Sequence, residues 1–495
     1  MENIRFTLRQ WRQIAAGLLC VGLCQTALAV ADPTLPCRIA GVANEVRCGL
    51  VERALDPARP AGPRIQVHYV VVRSVALNRK PDPVFLLAGG PGQSAIALAP
   101  AVLGWFKPLL LQRDLVLVDQ RGTGRSAPLM CPSTPVAPFG PATVQAQLQD
   151  VAQCRAALAR LPYIASASDL GFFTSTLAMQ DLDAVRQALG AEQINLVGAS
   201  YGTRAALEYM RQFGPHVRRS VLDGLAPPDM VLPDSMGRDS QAALDALWAS
   251  CGAHSPCGKA FPTLAADWKA LLDGLPRAVM LAHPLTGQPL SVSVTREAVT
   301  AVVRGALYLP ALASAVPQAV HDAANGRFEG LAGLQSALQE GAPHMRLAVG
   351  MHLGVVCAED YPRMAHSTGA ADTDVQSQYR LICRDWPQGA VPPDFYRIPP
   401  TQHASLLLSG GADPVTPPRH GQRVQQALGP LARHVVVPQA GHGLLSQPCM
   451  RKVMTAFIQA PDDTQALAVQ TDCAQAIPRP PAFVRPVAPL AGRAP

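Results

Sequence analysis

The sequence Gly-Ala-Ser-Tyr-Gly at residues 198–202 has the residue types to place a nucleophilic serine on a sharp turn. An apolar run of strand type precedes it at residues 194–197, and a helix-forming run follows at residues 203–207. In such a turn the serine hydroxyl stands above the sheet, and glycines occur where a Cβ would clash. The pattern alone is common in a chain rich in glycine and alanine, but its flanking elements favour Ser200 as a nucleophile.

A serine hydroxyl needs a base within hydrogen-bond distance, and a histidine base needs a carboxylate to hold its tautomer. Asp413 follows a predicted strand at residues 404–410, and His442 lies between two glycines after a valine-rich strand at residues 434–438. The chain order Ser, Asp, His at strand ends is that of the α/β-hydrolase fold. We therefore predict that Ser200 attacks, His442 transfers the proton and Asp413 orients His442.

Less specific interpretations of these residues exist. Asp413 precedes a proline and could simply cap a turn, and His442 could be a surface turn residue. Three other histidines, His403, His420 and His434, are alternative bases, but they lie in or before regular elements and lack flanking glycines. The joint occurrence of Asp413 and His442 in the right order favours the catalytic interpretation.

Two glycine-rich loops follow predicted strands, at residues 89–94 and 119–126. Neither matches a P-loop or a dinucleotide fingerprint, so a nucleotide site is disfavoured. Hydrolases of this type stabilise an oxyanion with two backbone N–H groups, one from the residue after the nucleophile and one from an early loop. We predict Tyr201 and Gly90 as these donors, with Gly90 favoured over Gly89.

The elements that must position these residues alternate between strand and helix over the first half of the chain. Short apolar strands and an amphipathic helix at residues 176–190 predict a doubly wound, mostly parallel sheet. From about residue 227 to 403 the patterns are mainly helical, which predicts a cap inserted into the α/β core. The predicted parts are a signal peptide (1–31), a first core part (32–226), a helical cap insertion (227–403), a second core part (404–478) and a Pro/Ala-rich tail (479–495).

Composition and charge describe a globular chain. Of 495 residues, 48% are hydrophobic and 16% charged, and the net charge of +7 is not gathered into any long Lys/Arg run. Nucleic acid is therefore not expected as a partner. Arginines within the first twelve residues precede an apolar stretch at residues 14–28 that ends in small residues, as in a secretory signal. This stretch is shorter than the ~20 residues of a membrane span, so we expect cleavage and no stable membrane anchor.

Ten cysteines lie beyond the predicted signal, and they fall into pairs of sequence neighbours. We expect disulfides in an oxidising compartment, periplasmic or extracellular; ten reduced core thiols are the alternative. A metal at Cys251, His254 and Cys257 lacks a fourth ligand and is disfavoured. The predicted pairs are Cys37–Cys48, Cys131–Cys154, Cys251–Cys257, Cys357–Cys383 and Cys449–Cys473.

Five motifs occur in a specific order: GGPGQS at 89–94, DQRGTGRS at 119–126, GASYG at 198–202, GADPVTP at 411–417 and GHG at 441–443. Together they resemble the prolyl aminopeptidase and secreted tripeptidyl aminopeptidase family of serine peptidases, over roughly residues 65 to 475. The resemblance implies an α/β-hydrolase fold with a helical cap, no metal or organic cofactor, and release of residues or short peptides from free N-termini. Tyr201, where cytoplasmic prolyl members usually have Trp, favours the secreted tripeptidyl branch, as do the cysteine content and the long cap. Ala88 departs from the prolyl branch, which has His at this position, and so argues against single-proline specificity.

An aminopeptidase must recognise a free α-ammonium, and a carboxylate is the natural partner. The cap contains Glu359 and Asp360 beside a predicted disulfide, and we predict that they bind the ammonium; a solvated acidic pair is the alternative. The sequence thus predicts an exported serine exopeptidase acting on peptides with a free N-terminus. The alternatives are a carboxylesterase with the same triad and a catalytically inactive binding protein of the same fold.

Overall fold

A computed structural model describes residues 33–132, 139, 144–340, 346–364 and 374–486. The described residues from Thr34 onward belong to one compact unit. The predicted signal peptide and residues 487–495 of the predicted tail lie outside the described residues. No helix among the described residues is long and apolar enough to span a bilayer.

The core of the described unit is a nine-stranded sheet in the order β1-β2-β3-β5-β4-β6-β7-β10-β11. β1, β2 and β3 run antiparallel to their neighbours in the sheet. The other six strands, β5, β4, β6, β7, β10 and β11 in this order across the sheet, run parallel to one another. The predicted mostly parallel α/β sheet is therefore confirmed. The strands are β1 Leu35–Cys37, β2 Val46–Ala54, β3 Arg64–Val72, β4 Val84–Leu87, β5 Leu115–Val118, β6 Ile194–Ala199, β7 Val217–Asp223, β8 Arg277–Ala282, β9 Pro289–Val294, β10 Ser405–Gly410 and β11 Ala432–Val437.

Helices cover both faces of the sheet, which explains why its central strands are continuously apolar. Along β4, Phe85 and Leu87 pack into one hydrophobic cluster, whereas Val84 and Leu86 pack into the cluster on the opposite face. All four side chains are buried. Because successive side chains of a strand point to opposite faces, β4 holds two layers of helices at once.

The helices fall into those that cover the sheet and those of the cap. The helix after β6 begins at Tyr201, directly behind the candidate nucleophile. The α-helices of the described residues are α1 Ala99–Phe106, α2 Val144–Leu158, α3 Ser175–Ala188, α4 Tyr201–Phe213, α5 Leu232–Ala253, α6 Ser255–Ala260, α7 Leu264–Asp273, α8 Arg296–Leu307, α9 Pro310–Ala313, α10 Val316–Ala324, α11 Glu329–Glu340, α12 Val349–Val355, α13 Asp374–Asp385, α14 Pro418–Leu428, α15 Pro448–Gln459 and α16 Asp463–Leu467.

The segment between β7 and β10, here called the cap, is mainly helical, as predicted. Its part from Ala348 to Trp386 packs into a cluster of the sheet, whereas its part from Leu244 to Leu334 lies in a separate hydrophobic cluster. Leu247, Val299 and Val320 are among the buried residues of this cluster. The segment also contains an antiparallel hairpin, β8–β9, that the sequence analysis did not anticipate. Most of its side chains are at least partly exposed, so the hairpin lacks the apolar run by which a buried strand is recognised.

All five predicted disulfides are present: Cys37–Cys48, Cys131–Cys154, Cys251–Cys257, Cys357–Cys383 and Cys449–Cys473. The first of them joins β1 to β2, and residues 38–45 between these two strands form a loop. The Cys251–Cys257 bond removes both thiolates from the disfavoured metal site. Loops closed by such bonds lose conformational freedom in the unfolded chain, which stabilises the fold.

Candidate active site

Ser200 lies on a strained turn between β6 and α4. Its backbone has φ 56° and ψ −125°, a conformation that residues other than glycine rarely adopt. The turn is held because the Ser200 N–H donates to the carbonyl of Asp223 on β7, at 2.8 Å. Strain that the surrounding structure maintains in this way is typical of a functional residue.

The two glycines of the motif are required by close backbone approaches. A Cβ on Gly202 would lie 2.1 Å from the carbonyl oxygen of Leu87, and a Cβ on Gly198 would lie 2.4 Å from that of Gly202. No real Cβ makes such contacts, so any other residue would force the elbow away from β4. This is the steric reason for glycine that the sequence predicted.

Asp413 and His442 are in direct contact: His442 Nδ1 lies 2.7 Å from Asp413 Oδ2. Asp413 also accepts hydrogen bonds from the N–H groups of Val415 and Thr416, each at 2.8 Å, and from the Thr416 hydroxyl at 2.7 Å. Its side chain is 1% exposed. With four donors around it, the carboxylate is fixed as an acceptor for the Nδ1 proton of His442, which leaves Nε2 available as a base.

The charges of this pair stabilise each other. Burial disfavours ionisation of Asp413, but His442 and the surrounding donors outweigh burial and hold the pKa of Asp413 below its ordinary value. Burial also opposes charging of His442, whereas Asp413 and, more weakly, Asp223 raise the pKa of His442 above its ordinary value. A histidine with such a pKa takes up a proton readily from an attacking hydroxyl.

The loop that carries His442 is tied to the core by Asp223. This carboxylate accepts from the N–H groups of Leu444 and Leu445, each at 2.8 Å. Asp223, at the end of β7, thus fixes the loop of the candidate base. The cap holds the same loop from the other side, because the His442 N–H donates to the carbonyl of Tyr308 at 3.0 Å.

Sequence reasoning missed two residues of this site. Thr416 bonds Asp413, and its hydroxyl lies 3.1 Å from His442 Nδ1; the Asp-Pro-Val-Thr sequence was a readable signal for a side-chain-to-backbone turn. The Tyr308 ring meets the His442 ring edge-on, with centroids 5.2 Å apart. No signal could have found Tyr308, because it follows a cap helix more than a hundred residues from His442.

The loop expected to supply the second oxyanion donor lies beside the nucleophile. A Cβ on Gly89, the neighbour of Gly90, would come within 3.1 Å of Ser200 Cβ, so Gly89 passes close to the candidate nucleophile. The cap supports this loop, since the Ala348 N–H donates to the Gly92 carbonyl at 2.9 Å. Tyr201 begins α4, so its N–H is one of the unpaired donors of a helix N-terminus. Their assignment as oxyanion donors stays a prediction.

Glu359 and Asp360 lie in a π-helical turn, Val356–Asp360, and neither is exposed to solvent. Asp360 receives both terminal nitrogens of Arg204, each at 3.1 Å, whereas Glu359 is 3.4 Å from Arg204 Nη1. Glu359 also accepts from the N–H of Ser175 at 2.7 Å and from its hydroxyl at 3.0 Å. The pair is therefore not a solvated acidic surface.

This cluster has more negative than positive groups. Burial raises the pKa of Glu359 to about 7, although the charge of Arg204 and the bonds from Ser175 oppose the shift. The cluster reaches the residue beside the nucleophile, because the Tyr201 hydroxyl lies 2.8 Å from the Ser175 hydroxyl. A second positive charge near Glu359 would stabilise its ionised form.

The competing histidines have other roles. His420 contacts the Asp239 carboxylate at 3.0 Å, and His434 contacts the Ser409 hydroxyl at 2.9 Å. Burial lowers the pKa of His403 to about 4, so it stays neutral. Among the described residues there is no group of three or more His, Cys, Asp or Glu side chains arranged to hold a metal ion.

Replacement of Asp413 by asparagine tests the role of the pair. Hydrolysis of an activated ester requires neutral His442, so kcat/KM of the native protein is expected to rise with pH through an apparent pKa above 6.5. Asp413→Asn removes the charge that holds this pKa up, so the acid limb should move to lower pH, with kcat falling roughly 10⁴-fold. The control is Asp385→Asn, which removes an exposed carboxylate. If the acid limb of the pH profile stays in place in Asp413→Asn, the assignment is contradicted.

Comparison with known proteins agrees with this geometry. Residues 82–246, which include Ser200, match the family model described as "alpha/beta hydrolase fold", and residues 370–467, which include Asp413 and His442, match that of "TAP-like protein". A solved structure, proline iminopeptidase of Mycobacterium smegmatis, is 17% identical over 82% of this chain and 96% of its own, with a TM-score of 0.35. That similarity is too low to carry an argument.

Three curated relatives show the range of activities around this chain. Serine protease Hip1 of Mycobacterium tuberculosis is 25% identical over 92% of this chain and 96% of the relative. Tripeptidyl aminopeptidase of Streptomyces lividans is 28% identical over 37% of this chain and 36% of the relative. Carboxylesterase B of Mycobacterium tuberculosis is 30% identical over 49% and 50%. With the sheet topology and the motifs, these matches place the chain among the α/β-hydrolases, and they support a serine peptidase.

Proposed function

We propose that this protein is an exported serine exopeptidase that releases N-terminal residues or tripeptides from peptides through an acyl-enzyme on Ser200. One observation carries the proposal: the Asp413–His442 hydrogen bond of 2.7 Å lies at the end of the sheet where the strained turn presents Ser200. This is the arrangement in which a serine hydroxyl becomes a nucleophile at neutral pH.

The residues then act in sequence. The Ser200 hydroxyl attacks the scissile carbonyl while His442 Nε2 takes its proton, and the developing oxyanion accepts from the N–H groups of Tyr201 and Gly90. The imidazolium of His442 is stabilised by Asp413, which stays ionised. His442 next protonates the leaving amine, and water, activated by the same base, hydrolyses the ester on Ser200.

Preference for a free N-terminus would come from the cluster of Glu359 and Asp360. Arg204 offsets one of the two carboxylate charges, and the second is available to an α-ammonium. Asp360 is paired with both terminal nitrogens of Arg204, whereas Glu359 is only 3.4 Å from one of them, so Glu359 is the better partner for a second cation. π-helical turns such as that of Glu359 occur frequently at functional sites.

Export is supported by the five disulfides, because such bonds persist in oxidising compartments and are rare in the cytosol. The predicted signal peptide would direct the chain there. The second candidate function is a carboxylesterase with the same three residues, which the match to carboxylesterase B favours. An inactive binding protein is disfavoured, because His442 and Asp413 retain the contact that activity requires.

The peptidase and esterase functions are distinguished by substrates that differ only at the amino group. We expect chromogenic Pro-, Ala- and tripeptide-amides to be cleaved with a free N-terminus and not when acetylated, and Ser200→Ala to abolish cleavage. The substrate that is cleaved fastest identifies the branch. Turnover of a short-chain ester without cleavage of any free peptide would establish the carboxylesterase instead.

The role of Glu359 is tested by Glu359→Gln, which keeps a side chain able to bond Ser175 but removes the charge. We expect kcat/KM for peptides with a free N-terminus to fall about ten-fold or more, because their ammonium group loses a charge-assisted hydrogen bond. Ester turnover should change little, because the ester has no ammonium group. Glu208→Gln is the matched control, because Glu208 is equally buried but is paired with Arg211 on the same helix. Equal kcat/KM in native and Glu359→Gln proteins would refute the role.

A further inference from the structure

A cavity of about 300 Å³ lies inside the cap, between α5, α7, α8 and the start of α13. Its walls include apolar side chains, Leu244, Trp268 and Val303, together with the hydroxyl-bearing residues Ser240 and Thr300. This volume is at the lower end of the range of ligand pockets, and one or two amino-acid residues would fill it.

The cavity is connected to the catalytic loops at two points. Ser240 on its wall donates a hydrogen bond to the carbonyl of Pro414, the residue after Asp413, at 3.1 Å. Leu307, also on the wall, immediately precedes Tyr308, whose carbonyl accepts the N–H of His442. The wall of the cavity is therefore joined to both loops that hold the Asp413–His442 pair.

The charge of the cavity wall is positive. Two arginines, Arg296 and Arg304, line it, and no Asp or Glu of the described residues does. Arg296 is paired with Asp273 at 3.5 Å. Arg304, half-buried one helical turn before Tyr308, makes no hydrogen bond or ion pair with any described residue. An unpaired guanidinium on the wall of a cavity is available to an anionic ligand.

We propose that this cavity is a substrate subsite that accepts a carboxylate, bound by Arg304. The inference rests on the proposed peptidase function and specifies its substrate class further. A carboxylate matches the planar guanidinium and accepts two parallel hydrogen bonds from it. In a peptide that carboxylate is either the free C-terminus of a short substrate or the side chain of Asp or Glu near the cleaved bond.

A purely structural role for Arg304 makes a different prediction. The residue lies in the last turn of α8, where a positive charge also stabilises the helix dipole. Loss of that role would change the melting temperature and all substrates alike. Only a binding role changes the ratio of kcat/KM between substrates that do and do not have a carboxylate.

The test compares four alanine peptides of equal length with free N-termini. One ends in an amide, one ends in a free carboxylate, and two amides have a single glutamate, either before or after the cleaved bond. We expect the native protein to favour at least one carboxylate peptide by about ten-fold in kcat/KM over the neutral amide, as a charge-assisted bond provides. Arg304→Gln should abolish this ratio, and Arg304→Lys should retain part of it.

The controls separate this proposal from the peptidase assignment. Arg64→Gln removes an exposed arginine of β3, outside the cavity, and should keep the native ratio. If no peptide is cleaved, the peptides are tested instead as competitive inhibitors of ester turnover. The carboxylate peptides should then inhibit the native protein more tightly than they inhibit Arg304→Gln. Equal kcat/KM for all cleaved peptides, a ratio that survives Arg304→Gln, or inhibition indifferent to the carboxylate would each overturn the subsite.

Discussion

The chemistry proposed for this protein depends on the hydrogen bond between Asp413 and His442. The two residues follow β10 and β11, whose register pairs Gly410 with Val437 at their carboxyl ends. The loops then leave the sheet side by side, so close that a Cβ on Gly410 would lie 2.0 Å from the carbonyl oxygen of Gly441. A parallel sheet with glycines at this edge therefore brings a distant acid and base into contact.

The cap completes the site. Tyr308 accepts the His442 N–H and packs against its ring, Ala348 donates to the glycine-rich loop, and the turn carrying Glu359 binds Arg204 on the helix behind the nucleophile. In the proposed mechanism the core thus supplies the nucleophile, base and acid, while the cap supplies charges of both signs. The negative cluster at Glu359 and the positive cavity at Arg304 would recognise opposite ends or opposite charges of one peptide.

The parts of this structure that were predictable from the sequence have local signals. Apolar runs such as β4 become strands buried on both faces, the Gly-x-Ser-x-Gly turn has a steric cause at Gly202, and disulfides join cysteines that are near in sequence. The exposed hairpin β8–β9 lacked such a signal. So did the pairing of Arg204 with Asp360, 156 residues away, because the charge partner of a buried acid is set by packing between core and cap.

Covalent labelling tests the central claim, that Ser200 is a nucleophile activated by His442. The oxidised native protein would be treated with a fluorophosphonate, and its adduct located by mass spectrometry of peptides. We predict a single adduct, on Ser200, and its absence in Ser200→Ala. Labelling at another residue, or failure of Ser200 to react while the protein is folded, would contradict it.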